Sequence, residues 1–200
     1  MSGLDNLFNS DIQESKMIIE KEYIFPTTLT TIRMRNWEEK KRKLLTLYEA
    51  NQHQFERHPE DLISTDYNSR EDYDEMSSAV EYILSDEMYF LRNNLDGCMN
   101  MKMKFVWFQH YINRSFHSIH NHGSLGYSGV CYINYNPKEH KPLTFVSSHN
   151  DFTGDFLQEY TPKNITEGTT IIFPSILNHY VPPVTSSEER LILSFNLRMS

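Results

Sequence analysis

The strongest constraint on this chain is a change of sequence period near Gly97. Beyond it, MKMKFVWFQHYI (101–112), SGVCYINY (128–135), PLTFVS (142–147), GTTIIFP (168–174) and RLILSFNL (190–197) are each of strand length and rich in β-branched and aromatic residues. Turn sequences such as NPKEHKP, HNDFTGD and TPKNITEG divide them. Short strands with no helical pattern between them predict an antiparallel sandwich, barrel or jelly roll.

Before Gly97 the period is helical. In NWEEKKRKLLTLYEANQHQ (36–54), Trp37, Lys41 through its stem, Leu44, Leu45 and Tyr48 share a face, with Asn36 placed as the cap and Glu38 and Glu39 in the first turn. The apolar steps of EDYDEMSSAVEYILSDEMYFLRNNL (71–95) predict a single second amphipathic helix. YIFPTTLTTIRM reads as a strand bounded by Pro26, and HPEDLISTDYNSRED as a polar loop. The expected class is therefore α+β. Residues 1–97 form a helical and strand support, and residues 98–200 a metal-binding β core, within one integrated domain.

Composition narrows the function. The net charge of −8 is unfavourable for phosphate neutralisation and so argues against a general nucleic-acid binder. Residues 1–100 hold 20 acidic and 11 basic side chains and residues 101–200 hold 7 and 8, so the surplus lies in the first half as a solvated face. No run approaches the roughly eighteen uncharged apolar residues that span a bilayer, and MSGLDNLFNSDIQESK is polar and acidic. No membrane partner and a cytoplasmic location are expected. Cys98 and Cys131 are expected to be reduced, buried thiols.

The chemistry concentrates on histidines. In an extended chain residues i and i+2 face one way, so His120 and His122 of SIHNHGS present side-chain origins roughly 6.5–7 Å apart, within reach of one metal ion. A third imidazole is available at His179, in EGTTIIFPSILNHYVPPV, where Leu177, His179 and Val181 share a strand face. His117 is out of phase with the pair on a regular strand. His53, His58, His140 and His149 sit in polar loop sequence, and His110 competes with Gln109 and Tyr111 for the inward direction. In ERLILSFNLR, Leu191, Leu193, Phe195 and Leu197 form an apolar face that helices would cover. The opposite face carries Arg190, Ser194 and Asn196 and predicts a polar-lined cavity. An inward arginine needs an anion, and a dicarboxylate ligand would supply one.

HNHGSLGYSGVCYI, LTFVSS and FPSILNHYVPPVTSSEERLILSFN, in that order, resemble the 2-oxoglutarate- and Fe(II)-dependent oxygenases found widely in phages and marine bacteria. They resemble more distantly the prolyl-hydroxylase-like enzymes of the same superfamily. The resemblance covers about residues 101–198. It implies a double-stranded β-helix with Fe(II) held by His120, His122 and His179, and 2-oxoglutarate and O₂ as cosubstrates. Arg190 would clamp the far carboxylate of 2-oxoglutarate, Ser194 would hydrogen-bond the same group, and Tyr111 and Tyr132 would contact it.

The superfamily's usual triad is two histidines and one carboxylate. With histidine in the middle place, three readings stay open: a working three-histidine oxygenase, a site completed by Asp151 or Asp155, or a relative without turnover. Two competing functions also stay open. One is a cupin-like three-histidine metalloprotein that does not use 2-oxoglutarate, although Gly123-Ser124-Leu125-Gly126 stands where cupins carry a glutamate. The other is a non-catalytic jelly-roll interaction or virion-associated module. The substrate and the oligomeric state, a homo-oligomer included, are not fixed by the sequence.

Overall fold

A computed structural model describes residues 27–95, 100–124, 126–150 and 157–199. In chain order the elements are β1 (Thr30–Arg33), α1 (Trp37–Ala50), β2 (Glu56–Arg57), β3 (Ser64–Thr65), α2 (Tyr73–Ile83) and α3 (Ser85–Asn94). There follow β4 (Met101–Tyr111), β5 (His117–His120), β6 (Tyr127–Asn134), β7 (Thr144–Asn150), β8 (Leu157–Tyr160), β9 (Thr169–Pro174), β10 (His179–Val181) and β11 (Arg190–Met199). The strands form two antiparallel sheets, ordered β1-β9-β6-β11-β4-β3-β2 and β5-β10-β7-β8. This is the double-stranded β-helix that the resemblance implies, and one of the antiparallel architectures that the alternating segments leave open.

Period two along β11 explains both layers. Leu191, Leu193, Phe195 and Leu197 meet Met76, Val80, Leu84, Met88 and Leu91 of the helices in one buried cluster. Burying such side chains contributes about 1.5–3 kcal/mol each. The opposite face joins Ile192 to Tyr111, Val130, Tyr132, Ile171 and Phe173 of the large sheet and to Phe145 and Val181 of the small one. That second cluster lies between the sheets and contains the polar interior.

Several helical details differ from the sequence reading. Residues 71–95 make two helices, because the backbone turns at Leu84 (φ −98°, ψ 26°). The turn keeps Met76, Val80, Met88 and Leu91 all on the sheet. Asn36 does stand at the N-terminus of α1, but in the left-handed region (φ 52°) and without a side-chain cap; its carbonyl receives the N–H groups of Glu39 and Lys40. Lys40 is the buried lysine of α1 and pairs with Glu87 at 2.8 Å, while Lys41 is partly buried and reaches Glu167 at 2.8 Å.

The stretch read as a polar loop is a structural clasp on the edge of the large sheet. β3 pairs with β4, and the buried Asp66 accepts the Phe108 N–H at 2.8 Å while it is paired with the buried Arg70. Cys131 is a buried free thiol whose pKa burial pushes up to about 12; Cys98 lies outside the described residues. Among the described residues no helix is long and apolar enough to cross a membrane.

Candidate metal centre

His120 ends β5 and stands in register with His179 of β10. His122 lies two residues beyond the strand and is held by its backbone: its N–H donates to the Ser175 carbonyl (2.9 Å), and its carbonyl accepts from Arg198 Nη2 (3.0 Å). Arg198 also donates to Ser175 Oγ (3.1 Å), which tethers the histidine loop to β11. Gly126 sits on the same loop with φ +75°, and a Cβ there would meet the Leu197 carbonyl at 2.1 Å, so only glycine fits.

These restraints bring the three imidazoles together. One ligand atom of each lies within 4.8 Å of the other two. The ring centroids stand 4.3 Å (His120–His179), 5.1 Å (His120–His122) and 5.1 Å (His122–His179) apart. Tautomers are set by the backbone. His120 Nδ1 lies 2.7 Å from the Ser118 carbonyl and His179 Nδ1 2.9 Å from the Leu177 carbonyl. A carbonyl only accepts, so the proton is on Nδ1 and Nε2 keeps its lone pair.

Burial keeps these rings neutral, the form that ligates. Desolvation, with the neighbouring His120 adding to it, brings His179 down to about 3. Desolvation, His120 and Arg198 bring His122 down to about 4. His120 is lowered by desolvation against the opposing pull of the Ser118 carbonyl and Asp61.

Two histidines depart from the sequence reading. His117 is not out of phase: a register irregularity in the β5–β10 pairing turns it onto His120, where the rings stack at 3.9 Å and 28°. Desolvation, then repulsion from the other histidines, carries it down to about 2. His140 does lie in a loop, between β6 and β7, but does not face solvent. It is buried, with Nδ1 accepting the Asn136 N–H at 3.1 Å and Nε2 3.1 Å from the Glu188 carbonyl. His110 points away from the interior toward Tyr48 and Glu189, leaving Gln109 and Tyr111 inside.

Arg190 is fully buried, at 0% exposure. Its guanidinium lies 4.9 Å from the Tyr111 ring centre, 5.4 Å from Tyr132 and 5.7 Å from Tyr135. Nη1 donates to the Lys141 carbonyl (2.8 Å), whereas Nε, Nη2 and the buried Tyr111 hydroxyl have no partner among the described residues. Among the described residues no carboxylate pairs with it. Buried donors left in this state cost on the order of 1–3 kcal/mol each, more for a charged group, so the arrangement fits an incoming carboxylate.

The Tyr132 hydroxyl accepts the Leu143 N–H at 3.2 Å, and burial raises the pKa of both tyrosines. Phe145 and Phe173, in the cluster that contains Tyr111 and Tyr132, border His179 at 6.1 and 4.9 Å. Arginine and histidines thus share the inter-sheet interior. Ser194 donates its hydroxyl proton to Gln109 Oε1 (3.0 Å), so that proton is engaged within the protein. Asp151 and Asp155 lie outside the described residues.

Sequence reasoning missed Asp61, Tyr135 and Arg198, and named Gln109 only as a competitor of His110 for the inward direction. Arg198 alone had a signal, since the inward alternation of 190, 192, 194 and 196 extends to it.

The two stacked sheets with a three-histidine cluster and an unpaired arginine between them define a double-stranded β-helix protein with a metal-type site. Residues 105–196 match the family described as "Putative 2OG-Fe(II) oxygenase". Over that stretch, a little under half of the chain, the sequence is similar to the 2-oxoglutarate- and Fe(II)-dependent oxygenases. No curated protein matches the sequence.

Solved structures share the fold at low identity. A Pseudomonas putida prolyl-4-hydroxylase is 16% identical, with 86% of this chain and 92% of that chain covered and a TM-score of 0.54. The α-ketoglutarate-dependent epimerase SnoN from nogalamycin biosynthesis is 10% identical, covering 86% and 77%, at 0.63. HygX from Streptomyces hygroscopicus, solved with nickel and 2-oxoglutarate, is 11% identical, covering 87% and 84%, at 0.58.

Proposed function

We propose that this protein is a 2-oxoglutarate-dependent oxygenase, a hydroxylase, in which His120, His122 and His179 hold Fe(II) through neutral imidazoles and Arg190 receives the far carboxylate of 2-oxoglutarate. The observation that carries the reading is Arg190: a buried guanidinium with two unpartnered nitrogens, stacked on tyrosines in the interior that also contains the histidines. When bound, the metal and 2-oxoglutarate supply O₂ activation coupled to decarboxylation of the keto acid to succinate.

The chain's own residues supply binding and orientation. Ser118 and Leu177 carbonyls hold the Nδ1 protons of His120 and His179, and so aim Nε2 at the metal. Arg190 offers a planar pair of donors that suits a carboxylate better than a lysine would. The Tyr111 hydroxyl supplies a further donor, and Tyr132 and Tyr135 form walls that exclude water. Ser194 acts by fixing the Gln109 amide. In the same reading residues 1–97 support the barrel and residues 98–200 are its metal-binding core.

The test is anaerobic addition of Fe(II) and 2-oxoglutarate, followed by O₂. A metal-to-ligand charge-transfer band and O₂-dependent succinate are expected, both lost in Arg190→Ala. Metal binding without any response to 2-oxoglutarate would instead identify a cupin-like metalloprotein.

A further inference from the structure

We propose that Asp61 is the carboxylate that balances the charge of the three-histidine centre, acting from behind His117 and not as a ligand. The proposal rests on the assignment of His120, His122 and His179 to the metal.

A non-haem Fe(II) site of the facial-triad type takes part of its charge neutralisation from one carboxylate ligand. Three imidazoles supply none. Among the described residues the acidic group buried beside this cluster is Asp61, which is 3% exposed. It has no lysine or arginine partner there. Its neighbours are histidines: Oδ2 lies 3.7 Å from His117 Nε2 and 3.9 Å from His58 Nδ1, and Ser118 Oγ donates to it at 3.3 Å. A buried carboxylate without a cation is costly, and a metal held by the adjoining imidazoles provides that cation.

His117 is the connection between the two. Its ring stacks on His120 at 3.9 Å. Ser194 donates to Gln109 Oε1 at 3.0 Å, which sets the amide with Nε2 toward His117 Nδ1, 3.1 Å away. Nδ1 therefore accepts, and the His117 proton lies on Nε2, the atom that faces Asp61. Neither nitrogen is left for a metal. His117 is a spacer that keeps Asp61 close to the cluster while preventing it from ligating.

The experiment measures Co(II) affinity by chelator competition and the Co(II) absorption spectrum, without 2-oxoglutarate or O₂, together with melting of the metal-free protein. Asp61→Asn keeps the shape and removes the charge; it is expected to weaken Co(II) binding by about tenfold to a hundredfold without lowering the metal-free melting temperature. Asp61→Glu restores the charge and is expected to bind closer to wild type. Wild-type affinity in Asp61→Asn, or equal weakening in the Asn and Glu variants, overturns the proposal while leaving the histidine assignment standing. A wild-type protein that holds no Co(II) at the histidines overturns both. If Asp61→Asn melts far below wild type, Gln109→Leu, which frees His117 from its fixed tautomer, is expected to weaken Co(II) in the same sense; unchanged affinity there overturns the proposal as well.

Discussion

Arg190 has opposite roles in the ligand-free and ligand-bound protein. Without an anion, its buried charge and orphaned donors oppose folding, and only the Lys141 carbonyl and three tyrosine rings offset them. With a carboxylate bound, the same donors form charge-assisted bonds of about 1.5–3 kcal/mol each. Arg190→Met is therefore expected to leave the melting temperature of the ligand-free protein unchanged or raised, while 2-oxoglutarate affinity falls by about a hundredfold or more. Thermal melting with and without 2-oxoglutarate, alongside calorimetric titration, separates the two effects. A variant that loses stability and affinity together would make Arg190 a structural residue.

At the scale of elements, the site depends on where β5 stops. His120 and His179 are held by strand pairing, whereas His122 depends on a loop whose anchors are Ser175 and Arg198. Arg198→Met removes the two bonds that Arg198 makes, to the His122 carbonyl and to Ser175 Oγ, without touching an imidazole. Its expected effect is a loss of metal affinity of about tenfold with little change in metal-free melting, read by competition with a chelator; an unchanged affinity would show that the Ser175 bond alone suffices. The helical layer is more tolerant of error. Reading residues 71–95 as one helix left the buried set nearly intact, because α2 and α3 present their apolar residues to one cluster on either side of Leu84.

For the whole molecule, four clustered histidines, His179 buried and His117, His120 and His122 half-buried, couple stability to pH. Their folded pKa values are depressed, to about 2, 4 and 3 for His117, His122 and His179 and downward for His120, against 6.5 as the ordinary value. Below that value the unfolded chain binds more protons than the folded one, so stability falls as pH falls. The slope is up to about 1.4 kcal/mol per pH unit for each histidine. The denaturation midpoint of the metal-free protein is expected to drop between pH 7.5 and 5.5, and saturating metal to oppose the drop near pH 7; a flat metal-free profile would contradict the burial described above. The sequence by itself determined the strand-rich second half and the inward face of β11 with Arg190, because side-chain alternation is a local property written at period two. Tertiary structure decided the rest. A pairing irregularity turned His117 onto His120, and a clasp far away in the chain brought Asp61 to Ser118. A bend at Leu84 divided the helix, and the fold alone chose Lys40 for burial against Glu87. Contacts between residues distant in sequence leave no periodic trace along the chain, so their geometry exists only once the sheets have closed.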